Sequence, residues 1–141
     1  MLVKFVSVVI PLKKQGLSWK AWVQLRRENG PLDGHYEFPG GKIESGESSF
    51  QAAARELLEE VDVTYHPDQF QLFQITRHDY SDRKVCLHFH LLDVQDQQSG
   101  WSRGQWCDLD DIPKHMLEAN RPIVEKLKNY LEQEPNLGEW Q

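Results

Sequence analysis

The chain has 141 residues, 39% of them hydrophobic and 27% charged, with a formal net charge of −6. That length and apolar content fit one domain with a real core, and the acidic balance argues against a nucleic-acid backbone as partner, which selects for an excess of Lys and Arg. No apolar run approaches the ~18 residues of a membrane span, and Cys86 and Cys107 stand in no paired spacing, so a reduced, cytoplasmic protein with no membrane partner is expected.

The first run, MLVKFVSVVIPLKK, is interrupted by Lys4 and followed by no small-residue cleavage site, and it reads as a strand over residues 2–12. WKAWVQLR (19–26) reads as its hairpin partner across KKQG, where Gly16 supplies the permissive backbone. RENGPLDGHYEFPGG is dense in Gly and Pro and long for a plain connection, which marks a loop with a task. From Ser48 to Val61 the period becomes helical: Phe50, Ala54, Leu57, Leu58 and Val61 share a core-facing stripe, and Ser48 or Ser49 can cap it.

FQLFQITRH and KVCLHFHLLDV read as a second hairpin about Tyr80 to Arg83, with Val85, Leu87, Phe89 and Leu91 turned inward. His88 and His90 then alternate onto the non-core face, a position more typical of strand surface or pocket lining than of metal ligands. QDQQSG reads as a turn, WSRGQWCDL as a short strand and DDIPKHMLEAN as a loop. Arg121 to about Glu132 is the closing helix, with Pro122 in its first turn and Ile123, Leu127, Tyr130 and Leu131 at helical spacing. The tail EPNLGEWQ carries no assignable pattern. Strands on both sides of a central helix predict an α+β fold, a mixed sheet flanked by helices as an α/β/α sandwich, in a single domain over 1–141.

The central helix concentrates like charge. Glu56, Glu59 and Glu60 stand at i, i+3 and i+4 and project from one face, which costs an isolated helix a few tenths of a kcal/mol per pair, with only Arg55 nearby to offset it. A hard divalent cation such as Mg²⁺ or Mn²⁺ would neutralise them and would take a phosphate as a further ligand. Taken alone, RELLEE is more often a solvated face. The glycine-rich PGGKIESGE before it shifts the balance, because its backbone groups can reach a metal or phosphate that the carboxylates share.

Together these residues resemble the Nudix box, G-x5-E-x7-R-E-U-x-E-E-x-G-U with U aliphatic. Gly41, Glu47, Arg55, Glu56, Leu57, Glu59, Glu60 and Val63 match, and Asp62 replaces the final glycine. Such a glycine supplies a left-handed helix end, which Asp tolerates better than most residues. The resemblance implies the Nudix α/β/α sandwich and Mg²⁺-dependent hydrolysis of a nucleoside diphosphate linked to another group. It assigns metal binding to Glu56, Glu59 and Glu60 with the Gly40 carbonyl, and makes Arg55 and Glu47 an ion pair bracing loop against helix.

EFPGGKIE, DRKVCLHFHL and ANRPIVEKLK further resemble the MutT branch, which hydrolyses 8-oxo-dGTP to 8-oxo-dGMP and pyrophosphate in nucleotide-pool sanitation, a DNA-repair function that avoids mutation. That implies a small oxidised purine nucleotide as substrate; a monomer is expected, although the sequence itself does not fix the oligomeric state. It would make Asn120 the reader of the base, although Asn before Arg-Pro is equally the signature of a helix N-cap. Phe38 and Tyr80 would wall the base, with Asp82 and Arg83 beside it; a plain hairpin turn is the alternative. Arg26 would meet the α-phosphate or stand solvated. The branch carries a further glutamate in a GEW stretch where this chain has Gly104-Gln105-Trp106, so the water-activating base passes to Glu56, with Glu47 or Glu44 behind it. Another nucleotide as substrate, or a Nudix-fold binding module that has lost catalysis, is the alternative that Gln105 keeps open.

Overall fold

A computed structural model describes residues 2–26, 34–96, 98–112, 116 and 120–133. Part of the long loop (27–33), Gln97, most of the segment before the closing helix (113–115 and 117–119) and the tail (134–141) lie outside the described residues. The elements run β1 (Val3–Gln15), β2 (Ser18–Leu25), β3 (Tyr36–Glu37), β4 (Gly40–Lys42), α1 (Ser49–Val61), β5 (Phe70–Asp79), β6 (Lys84–Asp93), β7 (Gly104–Asp108) and α2 (Arg121–Leu131), with 3₁₀ turns at Pro67–Gln69 and Leu109–Asp111. The two hairpins and both helices stand where the sequence placed them, and β3 and β4 appear inside what reads as loop.

All strands join one seven-stranded mixed sheet. β1 lies at its centre, parallel to β6 over Val3–Leu12, and β5 pairs antiparallel to β6 as the outer strand. On its other edge β1 meets β2 only over Leu12–Gln15. Beyond that the two strands part: β3 extends the edge of β2 through Gln24↔Glu37, while β4 extends the edge of β1 through Ser7↔Gly41 and Val8↔Gly40. Phe38 and Pro39 cross between the two, and the Pro39 carbonyl accepts from Val9 N–H. This split opens a cleft in the sheet, and the functional side chains gather along it.

Alternation sends even-numbered β1 residues to one face and odd ones to the other. Val8, Ile10 and Leu12 join Val85, Leu87, Phe89 and Leu91 under Ile123, Leu127 and Leu131 of α2. Val9, Trp22 and Leu92 pack under Ala53, Leu57 and Val61 of α1. Each helix buries one apolar stripe, so the sheet is covered on both faces and the layers are α/β/α. A bulge between Leu72 and Gln74 of β5 lets Phe73 turn to the α2 side, where it packs 5.2 Å from Tyr130.

His90 therefore departs from the expected non-core position. It is fully buried between β6 and α1, because alternation implies a wet face only where one side of a sheet is covered. His88 is half-buried. Cys86 and Cys107 are free and lie in strands. Among the described residues no helix is long and apolar enough to cross a membrane.

Candidate active site

Two tight glycines set the catalytic wall. A Cβ on Gly40 would collide with the Ser7 carbonyl, and one on Gly41 would collide with the Glu56 carboxylate. At Gly40 the clash is with backbone, so the turn can lie flat on β1 only without a side chain there, whereas at Gly41 a side chain would have to displace the Glu56 carboxylate. α1 begins with a capping box, Ser48 Oγ accepting from Gln51 N–H while Gln51 Oε1 accepts from Ser48 N–H, and ends on Asp62 in the left-handed region at φ 58°.

Arg55 is the hub of the charged face. Its Nε and Nη2 make a bidentate pair with Glu47 at 3.0 and 2.6 Å, and Nη2 also donates to the Lys42 carbonyl at 2.9 Å. Nη1 reaches Glu56 at 2.8 Å and Glu59 at 3.4 Å. The guanidinium holds the Glu47 carboxyl below the usual range, and the carboxylates raise Arg55 in turn.

Glu60 points the other way, into the split of the sheet. Its carboxylate accepts from Gln24 Nε2 at 2.7 Å and Gly40 N–H at 3.3 Å. Burial, aided by the charges of Glu56 and Glu37, pushes its pKa up to about 7 against the relief those two donors give. Glu37 itself is paired with Arg26 at 3.1 Å and lies 3.5 Å from Gln24 Nε2.

A pocket of about 470 Å³ runs from these acids along the cleft. Glu37, Glu56, Glu60, Gly40 and Gly41 form one end. Val6, Val8, Val85 and Leu87 make an apolar floor, Phe38, Tyr80, Arg83 and Asn120 line its sides, and Lys4, Arg26 and Lys42 complete it. Arg83 stacks its guanidinium 4.7 Å from the Tyr80 ring. Asn120 is buried, accepts from Phe38 N–H at 3.3 Å, and makes no side-chain capping hydrogen bond to α2.

The structure thus brings together Arg26, Phe38, Gly40, Glu56, Glu60, Tyr80, Arg83 and Asn120. It keeps others out of the pocket. Asp82 sits at the turn, its side chain 69% exposed and paired with Arg83, because the hairpin directs it outward. Glu59 is 58% exposed and turned to Arg55. Of the further water-activating candidates, Glu47 has both oxygens engaged by Arg55 and Glu44 is 65% exposed, and neither lines the pocket. Gln105 is exposed on β7 with its amide 3.4 Å from Cys107 Sγ, and it does not line the pocket. Glu37, Gln24, Lys4 and Lys42 escaped sequence reasoning. The motif EFPGG held Glu37 in plain view, but only pairing of β3 with β2 sets it beside Glu60.

The donor set suits a hard divalent cation by chemistry: carboxylates and one carbonyl, with a half-buried glutamate, Glu60, whose proton a cation would displace. The ring of donors is not closed. Among the described residues no three Asp, Glu, His or Cys side chains converge in metal-holding geometry, since Arg55 engages Glu56 and Glu59 while Glu60 faces Gln24.

The Nudix domain profile matches residues 4–127. The chain belongs to the Nudix family. Its MutT-like character rests on an Escherichia coli 8-oxo-dGTP diphosphatase, 36% identical over 116 residues, which cover 76% of this chain and 84% of that protein. Nudix membership with such a relative makes this a hydrolase of phosphoric anhydride bonds. Nudix hydrolases generally use divalent metal ions. A MutT Nudix hydrolase from Burkholderia pseudomallei shares the fold at a TM-score of 0.72 and 18% identity, covering 90% of this chain and 99% of that one. So does an Ap4A hydrolase from C. elegans, at 0.69 and 20%, covering 92% and 99%. One fold therefore serves different substrates, and specificity must be sought in the pocket.

Proposed function

We propose that this Nudix hydrolase cleaves 8-oxo-dGTP to 8-oxo-dGMP and pyrophosphate with Mg²⁺, or Mn²⁺ in its place. The observation that carries the reading is Asn120: a buried amide, free of capping duty, on the wall of an apolar pocket that ends in carboxylates. Oxidation at C8 puts a hydrogen on N7, so the base presents a donor beside the O6 acceptor. The Asn120 oxygen has a second lone pair for N7–H beyond the one engaged by Phe38, and its NH₂ donates to O6. Unmodified guanine offers two acceptors and leaves the amide oxygen facing one of them, a mismatch worth up to a factor of ~10⁴ in a dry site.

The apolar floor and Phe38 hold the base, Tyr80 with Arg83 closes over it, and Arg26 and Lys42 draw the phosphates toward the acidic end. Glu56, Glu59, Glu60 and the Gly40 carbonyl would hold the divalent cation, which when bound neutralises phosphate charge. Glu56 is the pocket carboxylate best placed to orient the attacking water, with Arg55 fixing one of its oxygens. Water adds at the β-phosphorus and the bond to the monophosphate oxygen breaks.

The test is release of pyrophosphate from 8-oxo-dGTP and dGTP in parallel, with Mg²⁺ and with chelator, for the wild type and Asn120→Ala. Metal-dependent turnover strongly favouring the oxidised base, with that preference erased in Asn120→Ala, is expected. Equal turnover of both nucleotides by the wild type would refute the substrate assignment and redirect it to another nucleotide.

A further inference from the structure

Behind the acidic wall, on the α1 side of the sheet, lies a buried polar network with no part in the pocket. His90 is fully buried, as is Ser7. His90 Nδ1 lies 3.1 Å from the Val8 carbonyl, and Nε2 lies 2.9 Å from Ser49 Oγ. Ser7 Oγ donates to the Ser49 carbonyl at 2.8 Å and lies 3.4 Å from His90 Nδ1. The rings of Phe50 and Phe70, 5.1 and 6.5 Å away, surround the imidazole with apolar surface.

The partners determine the proton positions. A carbonyl only accepts, so Nδ1 carries the hydrogen toward Val8. Desolvation pushes His90 down to about 4, so the ring is neutral and Nε2 accepts from the Ser49 hydroxyl. Ser49 is available because Ser48, not Ser49, caps the helix.

These contacts join two things that the active site must hold in register. Through their backbones Ser7 and Val8 carry the glycine turn, pairing with Gly41 and Gly40. Through Ser7 Oγ, and through the Val8 carbonyl by way of His90, the same two residues grip the first residue of α1, the helix that presents Glu56, Glu59 and Glu60. We propose that Ser7, His90 and Ser49 form a clamp that positions the α1 carboxylates against the Gly40–Gly41 turn, making His90 and Ser49 positioning residues for the cation site. The inference rests on the metal-dependent reading above. The Ser49 hydroxyl satisfies the buried Nε2 and in doing so ties β6 to the first residue of α1.

Ser49→Ala removes the hydroxyl, Ser49→Thr retains it, and His90→Phe keeps a ring without nitrogens. Each is titrated with Mn²⁺ by calorimetry and melted without metal, and the half-activating Mg²⁺ concentration, kcat and nucleotide KM are then measured. Ser49→Ala and His90→Phe are expected to weaken Mn²⁺ binding by about tenfold or more, with half-activating Mg²⁺ rising in parallel and KM unchanged, while Ser49→Thr behaves as the wild type. Wild-type Mn²⁺ affinity in folded Ser49→Ala would overturn the clamp and leave the network as packing. Absence of any Mn²⁺ binding by the wild type would overturn it too. A wild type that binds Mn²⁺ but hydrolyses no nucleotide refutes the proposed reaction alone, and the titration still decides the clamp.

Discussion

Glu60 should make the metal-free protein weaken as pH rises from about 4.5 to about 7. Its carboxyl titrates near 7 in the fold against an ordinary 4.5, burial being the largest cause. An acid whose folded pKa is raised adds stability that is fully present below the unfolded value and is lost as pH climbs through the folded one. A shift of that size corresponds to roughly 3 kcal/mol as an upper figure, at about 1.4 kcal/mol per unit. Glu60→Gln mimics the neutral acid and keeps an oxygen to accept from Gln24 and Gly40 N–H. With chelator present, urea denaturation of wild type and Glu60→Gln should agree at and below pH 4.5 and diverge between pH 4.5 and 7, the variant then staying more stable by up to about 3 kcal/mol through pH 8.5. Adding Mg²⁺ at pH 8.5 should recover the wild type by mass action and leave the variant unmoved. Two stability curves that stay parallel from pH 4.5 to 8.5 would refute the claim that the fold holds Glu60 against its charge.

Arg55→Lys keeps the charge but loses the fork that grips Glu47, Lys42 and Glu56 together, so it should cost about 1–3 kcal/mol in denaturant unfolding and lower turnover with it. Wild-type stability of that variant would show the network to be solvated decoration. Asp62→Gly relieves a left-handed residue and removes a negative charge from the end of α1, where the helix dipole disfavours it. A gain of roughly 0.5–1 kcal/mol is expected, read as a rise of about 2–4 °C in Tm per kcal/mol, and a loss would mean that the Asp62 carboxylate has a stabilising role.

The charged helix was legible because its information is local. Spacing within one helix places Glu56, Glu59 and Glu60 on a face and Leu57 and Val61 on the other, although Leu58, expected on that apolar stripe, is 50% exposed; the left-handed Asp62 was expected because it stands where the Nudix box has a glycine. β3 and β4 were not legible, since two- and three-residue strands leave no alternation to detect, and Glu37 was lost with them. His90 was misplaced for a related reason. Alternation distinguishes two faces of a strand but says nothing about what covers each, and only the packing of α1 on the sheet turns the second face of β6 into core.

The same distinction bears on Gln105. Loss of a carboxylate there is damaging only if that position faces the phosphates, and β7 pairs with β2 so that Gln105 stands opposite Val23, exposed and outside the pocket. Three carboxylates, Glu37, Glu56 and Glu60, line the acidic end without it. Glu37 and Glu60 are coupled through Gln24, whose amide lies within 3.5 Å of both. The acidity of the pocket is thus carried by strand β3 and helix α1 rather than by β7.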